Sequence, residues 1–319
     1  MKLVHEDGAF QSLIRAVASS TGIAPPLIEK DYWVTHVLWA IHRIGLEIWF
    51  KGGTSLSKGF KLIQRFSEDL DLRIEPGSVE ELPKVGSWTS MNKGPVTQRR
   101  EYFEALGHVL AIPNAKVVVD TTSIDGRARN AEIRAEYPGG FLEQLAPSMR
   151  PFVLLEVGAA RVTPFVERPL TSFVHDWLSN AGQMGAFGEN RPLSVRCVHP
   201  TVTLLEKLDA VSRRFARAPM TPANFIRHYE DAAAIIAHEG RLPSLQGLTV
   251  RQLAEEMVSK KQIVAMPDPD DPAFRLSSSR ERDALERAHA ALAPMYWGPR
   301  RSLQRSCELV RGWILRLGA

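Results

Sequence analysis

Only two cysteines occur in 319 residues, Cys197 and Cys307, far apart and in no ligand-type spacing. That argues against a disulfide framework or a thiolate zinc site, and both thiols are expected to be small packing residues. No apolar run approaches the roughly 20 residues that a membrane-spanning helix needs. The opening MKLVHEDGAF places acids where a signal peptide carries its apolar segment, so a cytoplasmic location is the expectation. Also missing are HExxH, GxxxxGK[ST] and GxSxG, the marks of zinc-protease, P-loop and serine-hydrolase chemistry.

Excess charge is scarce as well. The net charge is +4, with 44% hydrophobic and 24% charged residues, a composition that folds rather than stays disordered. The excess lies in one place. Residues 280–319 hold eight arginines, no lysine and four acids, so the preceding chain is neutral. Such a tail suits phosphate contacts or an acidic protein partner; a solvated helix face accounts for it equally well.

The patterning predicts an α+β fold: a mixed sheet flanked by helices over residues 1–198, then a mainly helical C-terminal domain over 199–319. Phe10, Leu13, Ile14 and Val17 form a 3.6-residue stripe, and an aromatic-rich helix is expected over 27–44, ended by Gly45. LEIWFK, DLDLRIE, KVVVDTTSI, NAEIRAEY and FVLLEVGAARV read as strands. Residues 76–95, rich in Gly, Pro and Ser, read as a loop. Beyond PLSVRCVHP, helical periodicity dominates.

Chemistry concentrates in FKGGTSLSKGFKLIQRFSEDLDLRIE, residues 50–75. Strand side chains alternate, so Leu70, Leu72 and Ile74 share one face while Asp69, Asp71 and Arg73 share the other. Two carboxylates on one face repel each other unless a cation lies between them, and hard divalent cations take oxygen ligands. Upstream, Gly52 and Gly53 permit positive φ and close backbone approach. Thr54 or Ser55 is the expected N-cap of a helix over 54–64, whose first N–H groups favour an anion. Together these residues read as a phosphate cradle beside a metal site for two ions. Lys51 and Lys58 add positive charge nearby, and Arg65 and Ser67 stand where they contact phosphate or a hydroxyl. A third carboxylate is Glu156 or Asp120, each a lone acid in an apolar strand. Glu156 is favoured, because Gly158 on its face leaves room for a substrate.

These residues resemble the signature of the AbiEii-type nucleotidyltransferase toxins, within the DNA-polymerase-β-like nucleotidyltransferase superfamily, where a glycine turn and helix precede a DxD strand. EKDYWVTHVLWAI resembles the helix before the glycine motif. LLEKLDAVSRR and RHYEDAAAII resemble two later motifs, placing a phosphate-contacting lysine at Lys207 and a motif aspartate at Asp231. The resemblance covers about residues 29–236. It implies a Mg2+-dependent toxin of a toxin–antitoxin system, using a nucleoside triphosphate (NTP) and releasing pyrophosphate. It further implies an RNA acceptor, the tRNA 3′ end, and a cognate antitoxin. In this scheme Asp69 and Asp71 hold metal, Gly52, Gly53, Thr54, Ser55, Arg65 and Ser67 bind the nucleotide, and Glu156 and Lys207 act in the transfer. Asp231 orients Lys207 or positions the acceptor. Nucleotidyl or phosphoryl transfer to a protein or small molecule, or a non-catalytic nucleotide- or RNA-binding module, are the alternatives.

Overall fold

The computed structural model describes every residue except Glu68, Ser148 and Ala319. The described chain divides into two compact units, the first made of Met1–Gly59, Ser67–Val162 and Glu167–Cys197, the second of Phe60–Phe66, Thr163–Val166 and Val198–Ala319.

In the first unit, α1 (Phe10–Thr21) buries Phe10, Ile14, Val17 and Ala18, and ends where Gly22 turns left-handed at φ 72°. Pro25 and Pro26 open α2 (Pro25–Arg43), which is buried from Pro26 through Ile41. Its buried charged residues are partnered, whereas the Trp33 indole N–H finds no hydrogen-bond partner among the described residues. Glu29 accepts from the N–H groups of Gly140 and Phe141 at 2.8 and 3.1 Å, Lys30 donates to the Arg150 carbonyl, and Asp31 pairs with Lys58 at 2.5 Å. Strand β1 (Glu47–Lys51) leads into one helical turn, α3 (Gly52–Thr54), that widens over Ser55–Gly59 before β2 (Asp69–Glu75). Then come α4 (Lys93–Val109), β3 (Lys116–Asp120), β4 (Asn130–Glu136), β5 (Val153–Gly158), β6 (Phe165–Arg168), α5 (Phe173–Asn180) and β7 (Val195–Val198).

The seven strands form one mixed sheet in the order β3-β4-β5-β2-β1-β7-β6. Strand β2 is antiparallel to β1 and parallel to β5. As expected from alternation, Leu70, Leu72 and Ile74 are at most 1% exposed, and Asp69, Asp71 and Arg73 take the other face. The short strands β6 and β7 and helix α5 were not foreseen from sequence. Of the helix expected over 54–64, residues 54–59 are helical and residues 60–64 run without regular structure.

A buried polar chain joins α2 to α5. Tyr32 O–H meets His5 Nδ1 at 2.7 Å and accepts from the Asn190 amide at 2.8 Å. His175 Nε2 donates to Asn190 Oδ1 at 2.7 Å and takes the Ser172 hydroxyl at Nδ1. His36 donates to the Pro113 carbonyl through Nε2 and accepts from Asn190 at Nδ1. The two bonds accepted at Nδ1 need both imidazoles neutral. Burial is the first cause that lowers His36 and His175 to about 4 each. A folded-state pKa below the ordinary 6.5 means that stability is complete above pH 6.5 and is lost as pH falls toward 4. Between pH 6.5 and 5, the loss is expected to be about 2 kcal/mol per histidine. Urea unfolding at the two pH values measures it, and equal midpoints would refute the neutral network.

The second unit is built from α6 (Pro200–Phe215), α7 (Arg227–Ala237), α8 (Val250–Ser259), α9 (Pro272–Arg275), α10 (Ser279–Ala291) and α11 (Leu303–Gly318). Helix α7 packs between α6 and α11 and is buried from His228 through Ile236. Among the described residues no helix is long and apolar enough to cross a membrane.

Candidate active site

The glycine turn and the aspartate strand are in direct contact. Register pairs Lys51 with Asp71, and Gly52 follows at φ 74°. A Cβ there would lie 1.7 Å from Asp71 Oδ2, so only glycine lets the turn close against this carboxylate. Gly52→Ala is expected to cost about 2 kcal/mol from its left-handed backbone and more from displacing Asp71. Thermal unfolding measures this, and an unchanged midpoint would mean the turn does not need that approach. Thr54 Oγ1 donates to the carbonyls of Ser67 and Asp69 at 3.1 and 2.6 Å, tying the turn to the start of β2. Thr54 therefore staples the loop rather than capping a long helix. Ser55 is 1% exposed, and its Oγ finds no hydrogen-bond partner among the described residues. It sits beside Cys197, whose thiol burial pushes up to about 12, as burial does for Cys307. Both are packing thiols.

Sheet register then builds a row of acids. Asp71 stands opposite Glu156 on β5, Glu156 opposite Glu132 on β4, and Glu132 opposite Asp120 on β3. Neighbouring strands are about 4.8 Å apart, and like charges directly opposite are destabilising. Withdrawal from water, then the charges of Asp71, Asp69 and Glu132, raise Glu156 to about 7. By surface area the residue is still exposed, so carboxylate crowding is the firmer of the two causes. Asp120 is occupied otherwise: it caps the turn at Thr122 and pairs with Arg134 at 2.5 Å. Hydrogen bonds from Thr122 and Arg134 hold its carboxyl below the usual range. Contrary to the expectation from sequence, Gly158 does not leave room for a substrate; a Cβ there would meet Asn130 Oδ1 at 2.0 Å. Asp69 accepts from Arg150 at 2.7 Å. Glu132 and Arg150 escaped the sequence reading, because only the strand pairing brings them to the aspartates.

A divalent cation fits this donor set in kind. Asp69, Asp71 and Glu156 offer hard carboxylate oxygens suited to magnesium rather than to soft metals, and their mutual repulsion is what a cation relieves. Among the described residues no three acid, histidine or cysteine side chains converge on a single point as they stand.

In the second unit, Arg65, Lys207 and Asp231 form a buried ion group. Arg65 gives Nε to Asp231 Oδ1 at 2.8 Å and Nη2 to Oδ2 at 2.7 Å, while Lys207 Nζ lies 2.8 Å from Oδ2. The three are 2%, 7% and 1% exposed in the order Arg65, Lys207, Asp231. Burial alone would raise the Asp231 carboxyl, but the two cations hold it well below the usual range. Burial draws Lys207 below the ordinary lysine value, against the pull of Asp231. Next to Asp231, Glu230 is gripped by Arg300 at 2.7 Å and by His289 at 3.0 Å. Of the tail arginines, Arg300, Arg311 and Arg316 all bond within this unit, so part of the tail's charge serves the fold.

A mixed sheet whose central strand sets two same-face aspartates against a glycine turn, with a third carboxylate one strand away, is of the nucleotidyltransferase type. The model of the nucleotidyl transferase AbiEii toxin family, a type IV toxin–antitoxin system, matches residues 39–302, and the chain belongs to that family. All the candidate residues lie inside the match. No curated protein and no solved structure matches the chain. Membership makes it a nucleotidyltransferase toxin, with a nucleotide substrate and an antitoxin partner.

Proposed function

We propose that the chain transfers a nucleoside monophosphate from an NTP to RNA, by resemblance the 3′ end of a tRNA, and releases pyrophosphate in the cytoplasm. The single observation that carries this reading is the register that sets Asp71 against Glu156 while Gly52 touches Asp71. Asp69 and Asp71 are the residues that would hold Mg2+, with Glu156 as the third carboxylate in preference to Asp120. When bound, the ion supplies Lewis-acid polarisation of the phosphoryl group and offsets its charge. Glu156, opposite Asp71 in the sheet register, is the carboxylate placed to take the proton of the attacking hydroxyl. Gly52 and Gly53 let the backbone approach the phosphates, and the buried Ser55 hydroxyl is available to them. Ser67 stays in place through Thr54. The resemblance gives Lys207 the role of countering phosphate charge, and Asp231 keeps that lysine charged and oriented. Arg65 serves the reading through Asp231, to which it gives two of its nitrogens.

Purified protein is incubated with Mg2+, total RNA and each α-labelled NTP in turn, beside an Asp69→Ala/Asp71→Ala control. Label in a tRNA-sized band, absent from the control, is the expected result and names the nucleotide. Label in protein or a small molecule instead would replace the RNA acceptor. Equal labelling by the control would remove the aspartates from the site.

A further inference from the structure

Two aspartates on one face of a strand repel each other until a cation joins them. At Asp69 a cation is already in place: Arg150 Nη1 donates to Asp69 Oδ1 at 2.7 Å. The two ends of Arg150 are held very differently. The buried Lys30 ammonium donates to its carbonyl oxygen, and Pro151 follows it, which confines residue 150 to extended backbone. The side chain is 43% exposed. A fixed base thus carries an arm that solvent reaches, and a guanidinium fork accepts a carboxylate or a phosphate with the same geometry.

We infer that Arg150 is a substrate-binding residue that holds Asp69 in the metal-free protein and passes to the phosphate oxygens of the NTP when a divalent cation takes the carboxylate. The inference rests on the metal role given above to Asp69. Arg150 and the cation compete for one oxygen, so in the absence of nucleotide Arg150 weakens metal binding. Once a triphosphate is present, the released guanidinium gains a second anion, and metal and nucleotide each tighten the other by the same factor. A residue serving only to neutralise Asp69 would leave the nucleotide untouched.

The test uses the full chain and the variants Arg150→Gln, Arg150→Lys and Asp69→Asn. Mn2+ binding is followed by electron paramagnetic resonance, and binding of a non-hydrolysable NTP analogue in saturating Mn2+ by calorimetry. Arg150→Gln is expected to bind Mn2+ alone more tightly, by about threefold or more, and the analogue about tenfold more weakly, the scale of one charge-assisted bond. Arg150→Lys should recover part of the nucleotide affinity. Unchanged or weaker Mn2+ binding in Arg150→Gln, or unchanged analogue binding, overturns the inference while leaving the metal site standing. If Asp69→Asn binds Mn2+ as well as the natural chain does, the metal assignment itself fails. The thermal midpoint of each metal-free variant checks that the fold is kept.

Discussion

Asp71→Asn is expected to lower nucleotidyl transfer by about a thousandfold or more while leaving the metal-free chain as stable as before, or more so. The two effects have one origin. Asp71 is the first acid of the row that continues through Glu156 and Glu132, and removing one of several adjacent negative charges relieves repulsion. Asparagine keeps the shape that meets Gly52, so the turn need not move. Relief should also show at Glu156: with Asp71 neutral, its carboxyl titrates closer to the ordinary glutamate range than the value near 7 it now has. Calorimetry of the metal-free variant and labelled-NTP transfer under saturating Mg2+ give the two halves. Transfer within tenfold of the natural chain would sink the metal role of Asp71. Lost transfer accompanied by a lower midpoint would mean that Asp71 is there for the fold.

How much of this was open to a reader of the sequence follows from the range of each interaction. The face of β2 was legible because alternation is a property of seven consecutive residues. The same holds for β1, for the strands β3 to β5 and for α2, whose apolar content matches its burial. Strands β6 and β7 have four residues each, too few for a period, and β6 lies between Pro164 and Pro169. Glu132 carries no local mark at all. It becomes part of the acid row only because β4 runs antiparallel to β5 in one register, and a shift by one residue would turn it to the other face. Arg150 stands outside any strand and meets Asp69 only through the tertiary fold, so no local pattern marks it. Gly158 misled, since a glycine beside an acid suggests open space, whereas the space is filled by Asn130 from the adjoining strand. The widened turn at Ser55–Gly59 was likewise invisible, because its departure from α-helix depends on the seat of Gly52 against Asp71 and on Thr54 bonding forward to β2. The recognised motifs ended near residue 236, although the family match continues to 302. That last stretch is held by packing and by pairs such as Glu230–Arg300, which leave no spacing to read.

The Arg65–Asp231–Lys207 group separates structural from chemical duty, and Asp231→Ala is the variant that does so. Removing the one anion leaves two cations buried, a change expected to destabilise by about 3–5 kcal/mol. Lys207, already drawn down by burial, would then shed its proton well before a surface lysine does. Replacing the pair together, Arg65→Met with Asp231→Leu, leaves Lys207 as the one cation of the group and is expected to recover part of that loss. The pH dependence carries the same sign. Asp231 is held below its ordinary 3.8 and Glu230 at about 2. Their contribution is therefore complete only above pH about 5, beyond the ordinary glutamate and aspartate values, and is lost as pH falls through the folded values. Guanidinium unfolding between pH 5 and 2 should show a steep loss in the natural chain and a shallower one in Asp231→Ala. Equal slopes would mean that Asp231 is not ionised by its partners. If the Met/Leu pair restores stability without restoring transfer, the ion group serves the reaction through Lys207. If stability and transfer return together, Asp231 is a packing residue, and its place in the site falls.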